Sequence, residues 1–330
     1  MKTILLKNRP KGKPQTTDFQ FTESEKPSPK DGEVLLETRF VSVDPYLRGR
    51  MRDEKSYVEP FKLNEPLASA IVAEVVESKN DKFEKGDYLT GMMAWKEFQT
   101  SDTNELRKVD PEMASLSAYL GVLGMTGLTA YFGLTRIGEP KEGETLLVSG
   151  AAGAVGSIVG QIGKIKGCKV VGIAGTDEKV EMLKEKFGFD AAINYSTTDD
   201  MAAAIKELAP DGIDVYYDNV GSYTLDAAMK NINRFGRVVN CGAISLYNET
   251  EQPTGPRLET TLVKKSVKMQ GFIVSNYEEN FKEGIQQLGQ WLKEGKLKHE
   301  ETIVEGFDEI PQAFIDLFDG KNKGKMVVKV

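Results

Sequence analysis

Histidine and cysteine are nearly absent from this 330-residue chain, which has one histidine, His299, and two cysteines, Cys168 and Cys241. Structural zinc usually takes four Cys or His ligands and catalytic zinc about three protein ligands, often including several of these residues. The inventory is too thin and too scattered for either, so no metal site is expected. A Ser-His-Asp hydrolase would have to use His299, which sits in the charged stretch Lys298-His-Glu-Glu and reads as a solvated residue. The two cysteines leave one disulfide geometrically open, although reduced, buried thiols are the commoner state in a cytosolic chain. Positive charge is not in excess: 43 Lys and Arg stand against 50 Asp and Glu, a net charge of -7, which argues against nucleic acid or an anionic membrane as the main partner. No run approaches the roughly 18 apolar residues of a membrane span. The opening Met1-Lys-Thr-Ile-Leu-Leu-Lys-Asn-Arg has too short an apolar stretch for a secretory signal and reads as a first strand. The expectation is a soluble cytoplasmic protein with no nucleic-acid and no membrane partner.

The remaining composition is that of a globular protein, with 40% hydrophobic and 28% charged residues, and the length favours two domains. Residues 1 to about 120 carry short β-like runs, such as Glu33-Val-Leu-Leu-Glu-Thr-Arg-Phe-Val-Ser-Val and Ala70-Ile-Val-Ala-Glu-Val-Val-Glu, separated by turn-rich segments. From about residue 140 strand and helix alternate, the pattern of a parallel sheet with helices on its faces. Strands are expected at Thr145–Ser149, Lys169–Ala174, Ala191–Asn194, Ile213–Asp218, Gly236–Cys241 and Val267–Val274. Helices are expected at Ala154–Lys166, Glu178–Phe187, Met201–Ala209, Tyr223–Asn231 and Asn280–Glu294. The terminal Lys325-Met-Val-Val-Lys-Val returns to strand, and this tail is expected to rejoin the first domain.

The chemistry-bearing motif is Gly150-Ala-Ala-Gly153-Ala-Val-Gly156, directly after an expected strand and at the opening of a helix. Small residues let the backbone approach a pyrophosphate, and the helix start offers N–H groups and the positive end of the helix dipole. A glycine-rich connection with no ligand is the plain alternative; the alternating elements around the motif weigh against it. NAD-specific sites often place Asp or Glu at the end of the second strand, where an acid would repel a 2′-phosphate. That place holds Gly175, and Lys179 stands at the start of the next helix, a pairing that favours NADPH. Asp177 and Glu178 lie close by, so this reading requires Lys179 to point inward while the two acids face solvent.

Together with Val43-Asp-Pro-Tyr-Leu-Arg-Gly-Arg-Met51, Gly124-Met-Thr-Gly-Leu-Thr-Ala-Tyr131, Asp218-Asn-Val-Gly221, Cys241-Gly-Ala-Ile-Ser-Leu-Tyr247-Asn and Asn322-Lys-Gly-Lys325, the chain resembles the zinc-free medium-chain dehydrogenase/reductase family. Within it the chain is similar to the leukotriene B4 12-hydroxydehydrogenase, prostaglandin reductase and curcumin reductase group, over nearly its whole length. The resemblance implies an α/β protein in which a GroES-like β-rich domain, residues 1–125 and 298–330, is interrupted by a Rossmann doubly wound parallel-sheet domain, residues 126–297. It implies NADPH as cofactor, with Lys179 and Tyr195 at the 2′-phosphate and Gly153, Ala154, Val155 and Gly156 at the pyrophosphate. Asn219, the run Cys241, Gly242, Ala243, Ile244, Ser245 and Tyr247, then Phe272, Ile273, Val274 and Asn322, would contact the rest of the cofactor. The implied reaction is reduction of a carbon–carbon double bond conjugated to a carbonyl, with a small-molecule enone as substrate. Tyr247 is the catalytic candidate, since a phenol can hydrogen-bond the enolate or help deliver the α proton. Tyr46, Met125 and Thr126 are expected to border the substrate. A quinone reductase of the same superfamily is the first rival and a non-catalytic nucleotide-binding module the second. The group's habit also implies a homodimer through the edge of the Rossmann sheet, near Val267–Val274.

Overall fold

The computed structural model describes residues 1–330 and divides into two compact units. Met1–Leu120, Glu301–Asn322 and Met326–Val330 form the first, and Gly121–Glu300 with Lys323–Lys325 the second. Residues 121–125 and 298–300, read from sequence into the β-rich domain, therefore pack with the second unit, as do three residues of the tail.

Along the chain the first unit supplies strands β1 (Lys2–Leu6), β2 (Phe19–Glu23), β3 (Val34–Ser42), β4 (Ala68–Ser78), β5 (Tyr88–Ala94), β6 (Phe98–Ser101) and β7 (Arg107–Val109). The second supplies β8 (Thr145–Val148), β9 (Lys169–Ala174), β10 (Ala191–Asn194), β11 (Ile213–Asp218), β12 (Ile232–Asn240) and β13 (Lys268–Gly271). The chain then ends through β14 (Glu301–Glu305) and β15 (Lys325–Lys329). Helices are α1 (Leu47–Arg50), α2 (Met125–Phe132), α3 (Gly156–Ile165), α4 (Asp177–Glu185), α5 (Met201–Leu208), α6 (Ser222–Asn231), α7 (Glu259–Lys265), α8 (Phe281–Lys293) and α9 (Ile310–Asp316).

In the first unit β1 pairs with β2, and a larger sheet runs in the order β14-β15-β3-β4-β5-β7 with β6 also on β3. The tail does rejoin this sheet: β15 pairs antiparallel with β3, Val327 opposite Ser42. Burial of Val34, Leu36, Val41, Ile71, Ala73 and Val75 supplies the core, which closes around Trp95 and Phe314. Each of the valine, leucine and isoleucine side chains among these contributes on the order of 1.5–3 kcal/mol against the conformational entropy of the chain. Trp95 is fully buried and its indole N–H donates to Ser69 Oγ at 2.8 Å, so the one polar atom of that ring is satisfied.

The second unit's sheet is parallel throughout, in the order β10-β9-β8-β11-β12-β13. Numbered from its own first strand this is 3-2-1-4-5-6, the order of a dinucleotide-binding sheet, with the reversal of direction between β8 and β11. Buried parallel strands read as continuous apolar runs rather than alternating ones, and β8 is buried at all four positions. α3 lies close on this sheet because small residues let it: a Cβ on Gly163 would stand 2.5 Å from Leu146 Cδ2 of β8 and 3.1 Å from Val170 Cγ2 of β9.

Two expectations change. The run Val267–Val274 is an eight-residue strand by its apolar character, yet β13 covers only Lys268–Gly271. Asn276 Oδ1 takes the Ile273 amide at 3.0 Å and turns the chain into a 3-10 segment from Val274, which removes the donor a longer ladder would need. The strand expected at Gly236–Cys241 begins instead at Ile232, with a register shift against β11 between Ile213 and Val215. Both cysteines are free, Cys168 buried and Cys241 half-buried, and burial first of all pushes their thiols up, to about 11 and about 12. No helix is long and apolar enough to cross a membrane.

Candidate nucleotide site

The site residues read from sequence in the second unit fall, with two exceptions, at the carboxyl ends of its parallel strands or in the turns that follow. β8 is followed by the glycine turn, β9 by Gly175 and Lys179, β10 by Tyr195, β11 by Asn219, β12 by Cys241–Tyr247 and β13 by Phe272–Val274. In open α/β sheets this edge, outside the strand ends and at the reversal of strand order, is where ligands bind.

The glycine turn is tight. Gly150 has φ +57°, Gly153 donates its amide to Gly150 O at 3.0 Å, and a Cβ on Gly156 would lie 2.4 Å from that same carbonyl oxygen and 2.7 Å from Ala151 Cα. α3 then starts at Gly156, and the first amides of a helix lack intrahelical partners. Close backbone approach, small side chains and a helix start in one turn are what a pyrophosphate requires.

At the end of β9, a Cβ on Gly175 would stand 2.7 Å from the Tyr195 hydroxyl. Glycine is needed there because the tyrosine lies across it. Tyr195 is held by its amide on Ala174 O at 3.0 Å, and Ser196 Oγ donates to Gly175 O at 2.8 Å. Thr176 caps α4 by accepting the Lys179 amide at 3.2 Å. Lys179 is half-buried, whereas Asp177 and Glu178 are exposed. Asp177 accepts from Asn194 Nδ2 at 2.7 Å, and Glu178 pairs with Lys323. Burial, and after it the charge of Lys323, pushes the Lys179 amine below its ordinary value, with Glu178 opposing.

The loops after β11 and β12 hang on one buried carboxylate. Asp218 Oδ1 accepts from Ser149 Oγ (2.9 Å), Tyr216 Oη (2.8 Å), the Val220 amide (3.0 Å) and the Gly221 amide (2.8 Å). Its backbone oxygen takes the amides of Cys241 and Gly242 at 2.9 and 3.1 Å. Asn219 is locked against Ser149, its amide on Oγ at 3.0 Å and its Nδ2 on the backbone oxygen at 2.8 Å. Ser245 Oγ donates to Val220 O at 2.6 Å, and the Ala243 amide donates to the Tyr247 hydroxyl at 3.3 Å. The Tyr247 ring thus folds back over its own loop, where a Cβ on Gly242 would meet the phenol oxygen at 3.1 Å.

Buried Asn240 Oδ1, at the end of β12, and Asp218 Oδ2 have no hydrogen-bond partner. A turn in which Gly153 and Gly156 lack a Cβ and a half-buried lysine after the next strand fit the phosphates of a dinucleotide, and an orphaned acceptor at the carboxyl edge fits its hydroxyl or amide donors.

The two exceptions lie at the start of α2. Met125 is half-buried, while Thr126 is buried and its hydroxyl donates to Gly121 O at 3.0 Å, a bond internal to that helix start. Tyr46 and Asn322 belong to the first unit. There Tyr46 is half-buried at the start of α1, and burial, then Asp44, pushes its phenol up while Arg50 opposes. His299 is exposed. Ser149, Asp218, Asn240 and Lys323 were not read as site residues: the first three are a strand-end serine, a carboxylate beside the asparagine and an ordinary strand residue, and Lys323 is 145 positions from its partner Glu178.

Residues 2–109 match the family model described as the N-terminal domain of oxidoreductase, and residues 154–290 the one described as zinc-binding dehydrogenase. In this chain no group of three or more His, Cys, Asp or Glu side chains is placed to hold a metal ion. A Bacillus subtilis protein named as a putative NADP-dependent oxidoreductase, YfmJ, is 56% identical over 99% of this chain and 97% of its own. The NADP-dependent 2-alkenal reductase of Nicotiana tabacum is 42% identical, covering 100% and 97%. The solved structure of CurA from Vibrio vulnificus in complex with NADPH superimposes with a TM-score of 0.95 at 43% identity, over 100% of this chain and 99% of that one. The chain belongs to the medium-chain dehydrogenase/reductase family. As in that family, it joins a GroES-like β-rich unit to a Rossmann unit, and the strand order of the latter follows from this membership as much as from the glycine turn.

Proposed function

We propose that this protein is an NADPH-dependent reductase of the carbon–carbon double bond in α,β-unsaturated ketones and aldehydes. The observation that carries the reading is the gathering of the glycine turn, Lys179, Tyr195, Asn219 and the Cys241–Tyr247 loop at one edge of a parallel sheet, in a chain 42% identical to an alkenal reductase. Gly153 to Gly156 would hold the pyrophosphate, Lys179 and Tyr195 the 2′-phosphate, and Asn219, the loop from Cys241 to Tyr247 and Phe272 to Val274 the remainder. When bound, NADPH supplies the hydride that goes to the β carbon.

The chain's own task is then at the other end of the conjugated system. Reduction at the β carbon moves charge onto the carbonyl oxygen, and that oxyanion needs a hydrogen-bond donor aimed at it. Tyr247 is assigned this part, with its phenol stabilising the enolate or passing a proton to the α carbon. Its loop is fixed by the Asp218 network, so the donor is held in place before substrate arrives rather than ordered by it. A cytoplasmic location and a homodimer formed through the exposed edge of β13 complete the proposal.

The test is loss of the reduced nicotinamide's near-ultraviolet absorbance with a short aliphatic enone, run beside a quinone, a saturated ketone and an NADH control. Turnover with the enone and recovery of the saturated ketone product are expected. Activity confined to the quinone would move the assignment to quinone reduction, and no turnover with any acceptor would leave a nucleotide-binding module.

A further inference from the structure

We propose that Lys323 is a second cation of the 2′-phosphate site and that Glu178 is its counterion until the phosphate arrives; this rests on the NADPH reading above. Three observations place it there. The ammonium of Lys323 pairs with the carboxylate of Glu178, the residue immediately before Lys179. The segment Lys323–Lys325 is docked on the glycine turn, with the Gly324 amide on Ala152 O at 2.8 Å, a parallel bridge between Gly153 and Gly324, and the Lys325 amide on Glu300 O at 2.9 Å. Gly324 has φ +62°, and a Cβ there would come within 1.9 Å of Glu300 O, so the docking is specific to glycine and fixes where the preceding lysine emerges.

The electrostatics agree with this placement. Lys323 acts on Lys179 as a nearby like charge, after burial in importance. Two like charges near one another repel in the absence of an anion, and both gain when a dianion binds within reach of both. Glu178 is 69% exposed at its side chain and Lys323 38%, so their pair is well solvated and weak. A phosphate carries more charge and more acceptor oxygens than the carboxylate it would displace. Asp177 does not compete for the lysine in the same way, since Asn194 donates to it.

The experiment measures binding of 2′,5′-ADP and of 5′-ADP by calorimetry, with no turnover involved, on wild type, Lys323→Gln, Lys323→Arg and Glu178→Gln. Lys323→Gln is expected to weaken 2′,5′-ADP about tenfold, the order of one charge-assisted hydrogen bond at a half-exposed site, and to leave 5′-ADP unchanged. Lys323→Arg should retain the preference, and Glu178→Gln should tighten 2′,5′-ADP by removing the competitor. An unchanged preference in Lys323→Gln, or equal loss of both nucleotides, overturns the role of Lys323; an unchanged affinity in Glu178→Gln overturns the counterion. If wild type itself binds the two nucleotides equally, the NADPH reading fails first.

Discussion

Replacing Gly156 by alanine adds one methyl group at the tightest point of the glycine turn. Its Cβ would meet three backbone atoms, Gly150 O at 2.4 Å, Ala151 Cα at 2.7 Å and Gly150 C at 2.9 Å, and no flexible side chain is available to yield. The turn itself must open. Forcing a methyl into a packed site costs about 1–3 kcal/mol, and contacts this short with backbone put the cost near the upper end. A folding unit of roughly 150–250 residues loses about 2–4 °C of melting temperature per kcal/mol, so a fall of about 6–12 °C is expected. Gly153→Ala is the control from the same turn. Its Cβ meets only Gly150 O, at 3.2 Å, and about 1 kcal/mol or less, hence about 2–4 °C, is expected. The assay is differential scanning fluorimetry without nucleotide, repeated with saturating NADPH, which at about 100 times its Kd adds about 2.7 kcal/mol to a competent site. Gly156→Ala should lose most of that added stability because the opened turn no longer presents its amides together. A Gly156→Ala protein melting within about 2 °C of wild type would refute the steric reasoning. So would a Gly153→Ala protein that falls as far.

Lys179→Ala should weaken NADPH by about tenfold or more while changing NADH little, measured by fluorescence titration with both cofactors; equal losses would remove Lys179 from the phosphate. Tyr247→Phe should lower kcat on an enone by about 10²–10⁴-fold, with NADPH affinity nearly unchanged. An unaltered kcat would assign the enolate to another donor. Burial alone would raise the Glu144 carboxyl, but hydrogen bonds from Arg237 (3.0 Å) and the Lys141 amide, with the guanidinium charge, hold it below its usual value. A carboxyl depressed in the folded state contributes stability that is present above its unfolded pKa of about 4.3 and is lost as pH falls through the folded value. Thermal melts from pH 7 downward should therefore show a smaller acid-induced fall in Glu144→Gln than in wild type; parallel pH profiles would contradict this.

The elements that were legible in the sequence are those whose signal is local. β8 and β9 are short apolar runs, and Gly150 to Gly156 is a turn written in consecutive residues. Gly175 was read for the acid it lacks. The structure adds that it must be glycine to let the Tyr195 ring lie across it, a contact between strand ends 20 residues apart that no local pattern encodes. The length of β13 was misjudged for the converse reason. Val267–Val274 has the apolar character of a strand, but an asparagine beyond it, Asn276, captures the amide that would have continued the ladder.

What stayed hidden depends on distance along the chain. The motif Asp218-Asn-Val-Gly221 draws attention to Asn219, whose amide could face a ligand, yet the residue that organises the region is the aspartate before it. Its carboxylate gathers a serine from the end of β8, a tyrosine of its own strand and two loop amides, while its carbonyl fixes the start of the loop that carries Tyr247. Taken alone, Asp218 is one acid among 50 acidic residues and nothing in its neighbours announces burial. A carboxylate that accepts four hydrogen bonds in a dry interior holds several loops in one arrangement, and a dinucleotide site built largely from loop backbone depends on that fixed arrangement more than on any single side chain that touches the ligand.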